Sequence, residues 1–244
     1  MRDITLVTTC MGRLSFLKQT LPTWLEATDF PIIVVDYSCP EGTARWIEGA
    51  GFGSRVRALR AQALSHRGRP VFNPSRARNL GAAEVRQGYI LFLDCDTLLS
   101  TAFGPWWTAR LLRRDRMYCV VPPLGKGYEI YGALGVHTSA FRAVRGYDEE
   151  FRGWGAEDVD LRMRLHFHGL SCESIPMDFF TSIHHSNELR VTNFAIKSFP
   201  RARRYNARRL DWKLLRATGK TISQWNRDRG LDCLRQFPGG EESA

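Results

Sequence analysis

Apolar residues in this chain gather into short runs that break off at acids or small polar groups. Ile4-Thr5-Leu6-Val7-Thr8-Thr9-Cys10 is one run and Pro31-Ile32-Ile33-Val34-Val35-Asp36 a second. Tyr89-Ile90-Leu91-Phe92-Leu93 is a third, ending at Asp94-Cys95-Asp96. Short, nearly continuous apolar runs predict strands buried on both faces. After the first run, Leu14, Leu17, Leu21 and Leu25 recur at helical spacing. After the second, the turn-rich Cys39-Pro40-Glu41-Gly42 leads to a short helix expected around Ala44 to Glu48. Strand alternating with helix predicts an α/β fold on a parallel sheet, in which ligands sit beyond the carboxyl ends of the strands. Thr8, Arg13, Asp36, Asp94 and Asp96 all fall at those ends.

The segment from Asn73 to Gly88 is punctuated as a helix, with Asn73 as N-cap, Pro74 in the first turn and Gly88 closing it. Arg76, Arg78 and Asn79 then lie in its opening turns, where free backbone N–H groups favour anions. Farther on the pattern predicts a surface helix from Trp106 to Arg116 and a strand from Tyr118 to Val121. A glycine-bearing strand follows from Gly127 to Val136, with Gly132 where a ligand or backbone comes close. A helix opens at Glu157-Asp158 and runs to about His168-Gly169, and a late strand from Met177 ends in His184-His185-Ser186. From Asn193 onward only helical patches remain, Asp211 to Ala217 and Ile222 to Arg227. The expected division is a catalytic domain over 1–192 and a basic helical extension over 193–244.

Charge sharpens that division. The formal net charge is +10, and from Arg201 to Ala244 eleven Lys/Arg stand against five Asp/Glu. Such a surplus suits an anionic acceptor, an acidic membrane surface or nucleic acid, and a plain solvated face accounts for it equally. No apolar run approaches the roughly 20 residues that span a bilayer, and the first residues lack a signal-peptide layout, so a cytoplasmic protein is expected, with peripheral contact at the inner membrane face through the tail. Six cysteines without C-x-x-C spacing indicate neither a zinc cluster nor a disulfide framework.

The chemistry-bearing groups are acids. On a strand, Asp94 and Asp96 would share one face and could together hold a hard divalent cation and a diphosphate. An isolated D-x-D is more often a polar turn. Gly153-Trp154-Gly155-Ala156-Glu157-Asp158 presents an indole between glycines, suited to stacking on a sugar ring, followed by two acids in a first helical turn, where capping alone would explain them. Histidines that end a strand are more often structural than ligands, yet two aspartates lack the nitrogen ligand a manganese-like ion prefers.

Together the Val35-Asp36 strand end, Arg78-Asn79-Leu80-Gly81, Phe92-Leu93-Asp94-Cys95-Asp96 and Gly153-Trp154-Gly155-Ala156-Glu157-Asp158 resemble, in order, the motifs of GT-A type nucleotide-sugar glycosyltransferases over about Ile4 to Ser186. The last is similar to the G-W-G-x-E-D signature of β-1,4-galactosyltransferases and bacterial chondroitin-polymerase-like enzymes. The resemblance implies a GT-A fold, a Rossmann-like, mixed and mostly parallel sheet flanked by helices. It implies Mn2+ or Mg2+ held by Asp96 and His185, with Asp94 at the metal shell or donor ribose and Cys95 between them in the donor site. Thr8, Arg13 and Asp36 would bind the nucleoside of a UDP-sugar and Arg78 the phosphates or ribose. Trp154, Gly155, Gly132 and Glu157 would contact the sugars, Glu157 counting with Asp158 as catalytic, and Asp158 matches the general base of the inverting enzymes. Ser182 stands where a methionine ligand can occur, and the membrane anchor of the Golgi enzymes is missing. The implied reaction moves Gal, GalNAc, GlcNAc or Glc onto an acceptor hydroxyl of a glycan, lipid-linked intermediate, peptide or small molecule. A retaining transferase, a sugar nucleotidyltransferase and a non-enzymatic anionic-polymer or membrane binder are the competing readings. Nucleic acid ranks last among partners, and the tail equally suits a homodimer interface.

Overall fold

A computed structural model describes residues 4–110, 112–120, 130–220 and 224. The strands are β1 (Ile4–Cys10), β2 (Ile32–Tyr37), β3 (Val56–Ala61), β4 (Leu64–His66), β5 (Arg69–Val71), β6 (Tyr89–Phe92), β7 (Thr97–Leu99), β8 (Arg116–Val120), β9 (Leu134–His137), β10 (Ser171–Ile175) and β11 (Phe180–Ser182). The helices are α1 (Leu14–Ala27), α2 (Thr43–Gly49), α3 (Pro74–Ala83), α4 (Phe103–Ala109), α5 (Thr138–Ala143), α6 (Glu157–Phe167), α7 (Asn187–Val191) and α8 (Phe199–Thr218). Seven strands form one sheet in the order β10-β8-β9-β6-β1-β2-β3. β6, β1, β2 and β3 run parallel, as do β8 and β10, while β9 is antiparallel to both its neighbours.

The three apolar runs are the sheet's centre, and their residues alternate between two cores. Leu6, Ile32, Val34 and Leu91 face the layer that holds Leu17, Leu21 and Trp24 of α1 with Phe103 and Trp107 of α4. Val7, Ile33, Val35, Ile90 and Phe92 face Ala77 of α3, Phe141 of α5, Leu161 and Leu165 of α6, and Leu210 and Leu214 of α8. Burial on both faces is why these strands carry continuous apolar runs.

Several boundaries differ from the sequence pattern. α3 ends at Ala83, with Glu84 and Val85 closing on Gly81 and Ala82 by tighter bonds (3.2 and 3.1 Å), and Gly88 instead turns the chain into β6. The helix expected over Trp106 to Arg116 is α4, Phe103–Ala109, and Arg116 opens β8. There the Arg113–Asp115 pair (2.8 Å) and the bond from the Arg113 amide to the Tyr118 hydroxyl (2.8 Å) fix a turn. Among the described residues of the strand expected from Gly127, Leu134–His137 is a strand, preceded by a turn that puts the Ala133 amide on the Ile130 carbonyl (3.2 Å). Gly127 to Glu129, Val121 and, apart from Gln224, the patch from Ile222 to Arg227 lie outside the described residues. The late strand is short, Phe180–Ser182, and leaves His184 and His185 beyond its end. The extension expected from Asn193 is continuous with the core: Phe194, Ala202, Leu210 and Leu214 are buried, and the Asn193 carbonyl accepts from the Phe72 amide at 2.6 Å.

Candidate active site

β6 ends at Phe92, and residues 94 to 97 form a turn in which the Thr97 amide reaches the Asp94 carbonyl at 3.1 Å. α1 braces this turn from behind: Thr20 Oγ1 donates to the Cys95 carbonyl (2.9 Å) and Trp24 Nε1 to the Thr97 carbonyl (2.7 Å). The acids are therefore on a turn rather than on one strand face, and each meets its own guanidinium. Asp94 accepts from Arg78 at 2.7 Å and Asp96 from Arg13 at 2.9 Å. Cys95 is buried in the core behind them, with its carbonyl taken by Thr20.

Opposite Asp96 stands His185. β11 pairs antiparallel with β7, Ser182 against Thr97, and the Ile183 amide donates to the Asp96 carbonyl at 2.8 Å. This late pairing carries His185 Nε2 to 3.5 Å from Asp96 Oδ2. His185 Nδ1 is bonded to the Ile183 carbonyl at 2.9 Å, which places its proton there and leaves the Nε2 lone pair facing the acid. Burial holds the imidazole below its usual pKa, in the neutral form a metal needs. Burial, and then the neighbouring Asp94 charge, push Asp96 up to about 6 although Arg13 opposes them. A neutral imidazole and a carboxylate that lacks enough positive charge suit a divalent cation. At present Arg13 Nη1 lies between them, 2.9 Å from Asp96 and 2.8 Å from His185 Nε2. Among the described residues no three His, Cys, Asp or Glu side chains surround one point.

Arg78 is the second centre. Its buried guanidinium binds Asp94 (2.7 Å), Glu157 (3.1 Å) and Asp158 (3.2 Å) and lies 5.1 Å from the centre of the Tyr147 ring. Three carboxylates against one cation leave the cluster short of positive charge. Burial and then Asp158 raise Glu157 to about 7 against the pull of Arg78, and burial raises Asp158 as well. Glu157 Oε2 is buried without a partner, whereas the Asp158 side chain keeps 17% exposure. Gly132 completes the cluster, because a Cβ there would collide with the Asp94 carboxylate and crowd Arg78. Of the other basic and amide groups expected in α3, Arg76 pairs with Glu149 (3.3 Å), and Asn79 ties Tyr147 and Glu149 through its side chain (2.8 to 2.9 Å), so both hold the fold.

The Gly-Trp-Gly loop enters α6 through left-handed backbone, with φ of 129° at Gly153, 92° at Gly155 and 77° at Ala156. The Trp154 ring is half-buried, 4.7 Å from Phe199 and under the Arg190 guanidinium at 5.5 Å, and the Gly155 carbonyl is taken by Asn206 at 2.7 Å. Glu157 and Asp158 do not cap α6 through side-chain bonds. Asp36 stands apart from the acids: its two oxygens accept from the Cys39 and Ala44 amides, each at 2.7 Å, and so shape the turn after β2. Thr8 is buried with its hydroxyl unpartnered. Arg190, Tyr147 and Asn206 had no motif to announce them. Only the adjacency of Arg190 to His185, within five residues, was there to find.

A family model described as the N-terminal domain of galactosyltransferase matches residues 116–187, the segment from β8 through Glu157, Asp158 and His185 to the first residue of α7. Validoxylamine A glucosyltransferase of Streptomyces hygroscopicus is 57% identical over 30 residues, which are 12% of this chain and 7% of that protein's length. Among solved structures, Staphylococcus aureus TarS (residues 1–349) superposes over 89% of this chain and 74% of its own with a TM-score of 0.59 at 12% identity. Drosophila β1,4-galactosyltransferase 7, solved with manganese, UDP-Gal and xylobiose, covers 83% and 80% with a TM-score of 0.53 at 18% identity. The mannosyltransferase PcManGT of Pyrobaculum calidifontis, in complex with GDP-Man and Mn2+, covers 93% and 65% with a TM-score of 0.60 at 12% identity. The mixed seven-stranded sheet with its flanking helices is the GT-A glycosyltransferase fold.

Proposed function

We propose that this chain is a metal-dependent inverting glycosyltransferase that moves a sugar from a UDP-sugar to an acceptor hydroxyl. The observation that carries this reading is the meeting of Asp96 with His185, 3.5 Å apart and held in place by the β7–β11 pairing. These two side chains would hold a divalent cation, and in GT-A sites such an ion neutralises the charge of the departing diphosphate. Among solved structures of the same fold, one is a complex with manganese, UDP-Gal and xylobiose and another a complex with UDP-GlcNAc, which supports a uridine nucleotide and a hexose or N-acetylhexosamine.

The chain's own residues supply the rest. Arg13 bridges Asp96 and His185, and on metal binding would turn its fork toward phosphate oxygens. Arg78 pairs with Asp94, Glu157 and Asp158 at once, and so would keep the donor-side and acceptor-side acids in a constant relation. Glu157, with an unpartnered Oε2, would accept a bond from a sugar hydroxyl. Asp158, the more exposed of the two, would take the acceptor proton as attack proceeds. Trp154 would stack on a sugar ring of the acceptor or donor.

The test is a donor screen that reads nucleotide release with Mn2+ present and then chelated. UDP release from one UDP-sugar, abolished by EDTA and restored by Mn2+, is expected, with NMR of the product showing an inverted anomer. No binding of any nucleotide-sugar would overturn the reading, and release unaffected by EDTA would remove the cation from it.

A further inference from the structure

α8 carries part of the basic surplus counted from Arg201 onward, and its buried face is fastened to the loop of Trp154. Asn206 of α8 is fully buried at 0% exposure. Its Nδ2 donates to the Gly155 carbonyl at 2.7 Å, and its Oδ1 accepts from the Arg152 amide at 3.2 Å. One side chain therefore spans both ends of the loop that presents Trp154. That stretch has no strand or helix of its own to satisfy these backbone groups, so without Asn206 an amide and a carbonyl would be left facing the interior.

Three further contacts bring α8 against the same loop. A Cβ on Gly153 would lie 2.9 Å from the Ala202 Cβ, so only glycine lets the helix approach this closely. The Trp154 ring packs on Phe199 at 4.7 Å. On either side of the loop, Lys213 pairs with Asp148 (2.8 Å) and with Asp160, and Arg209 pairs with Asp148 (2.9 Å) and Glu150 (2.8 Å). The acid turn at Asp94–Asp96, by contrast, is fastened by α1 on the other face of the sheet, through Thr20 and Trp24.

We infer that Asn206 is a positioning residue for transfer to the acceptor: it holds the loop of Trp154, and with it the start of α6 that carries Glu157 and Asp158, in the arrangement acceptor attack requires. The inference rests on the glycosyltransferase reading and adds that acceptor handling and donor handling are fastened by different helices. Loss of the clasp should separate the two activities.

The experiment compares the wild-type chain with Asn206→Ala and Asn206→Asp, the second keeping size and the acceptor for the Arg152 amide while losing the donor to Gly155. Each is measured for UDP binding, for UDP-sugar hydrolysis without acceptor, for transfer kcat and acceptor KM, and for amide hydrogen exchange over residues 152–156. Expected is a fall of roughly tenfold or more in transfer kcat/KM, with hydrolysis and UDP binding within about twofold of wild type. Amide exchange at Arg152 should quicken in Asn206→Ala and stay slower in Asn206→Asp. Leu214→Ala, which removes buried packing of the same helix without touching the loop, should lower stability while leaving the ratio of transfer to hydrolysis unchanged. Equal losses of hydrolysis and transfer, an unchanged acceptor KM and kcat in Asn206→Ala, or failure of both Asn206 variants to fold would each overturn the positioning role. If the wild-type chain turns over no nucleotide-sugar, the glycosyltransferase reading fails instead, and the exchange data still report whether Asn206 orders the loop.

Discussion

The two acid-bearing regions of this molecule are built in opposite ways. The turn of Asp94 and Asp96 follows a strand buried on both faces, is braced by α1, and has each carboxylate matched to an arginine at 2.9 Å or less. The loop of Trp154 leading to Glu157 and Asp158 is left-handed at three positions, has no strand beneath it, and depends on a helix that begins 45 residues after Trp154 in the sequence. The first is set by the sheet and the second by a late buttress. A site that must bind a charged donor firmly and then admit an acceptor gains from having one half fixed by the core and the other held by contacts that can be tuned separately.

Removing Asp96 strikes the fixed half hardest. Asp96→Ala should cut transfer by roughly a thousandfold or more, since it deletes one of the two groups proposed to hold the cation. Isothermal titration with Mn2+ and UDP should show the matching loss of binding, and an active Asp96→Ala protein would dissolve the distinction between the halves. Asp158→Asn should cost about a hundredfold to ten-thousandfold in transfer while UDP and Mn2+ still bind, because only proton removal from the acceptor is lost. Gly132→Ala lies where the halves touch. Its Cβ would press on the Asp94 carboxylate and Arg78, and a loss of about 1 to 3 kcal/mol in urea unfolding is expected.

Acid and base should separate the regions by pH as well. Glu157 is held at about 7, above its ordinary 4.5, so its contribution to stability is full below pH 4.5 and is lost as pH rises through 7. Asp148 at the α8 brace goes the other way. Although burial works to raise it, its bonds to Lys213, Glu150 and Arg209 hold it at about 2 against an ordinary 3.8, so its contribution is present above 3.8 and lost as pH falls toward 2. Melting temperature followed against pH should therefore lose its upper slope in Glu157→Gln and its lower slope in Asp148→Asn. The smallest effect is expected from Ala156→Gly. Relief of the left-handed alanine should offset most of the added chain freedom, leaving stability within about 1 kcal/mol of wild type while the acceptor KM rises.

Much of the fold was legible because the central strands are buried on both faces, and continuous apolar runs such as Tyr89 to Leu93 have few other uses. The edge elements were not. β3 carries Arg57 and Arg60, and β10 is mostly exposed or half-exposed, so neither shows a clean pattern. The helix over Trp106 to Arg116 was overextended because Arg113 and Asp115 look like a solvated helical face until their pairing across two residues is seen to make a turn. In the site, Asp96, Asp158 and Arg78 were legible as charged residues at strand and helix ends. The bringing together of Asp96 and His185 was legible only through resemblance, since it depends on two three-residue strands, β7 and β11, too short to announce their pairing. Asp36 was legible only as an acid after a strand, and the bonds its two oxygens accept from amides of its own turn could not be read from the sequence.

The placement of Asn206, 51 residues beyond the carbonyl it holds, sets an order of events during synthesis. The acid turn and its α1 brace both precede the indole-bearing loop in the chain, and the residue that ties the two ends of that loop follows it. A nascent or prematurely stopped polypeptide that lacks α8 would therefore carry the loop without its clasp.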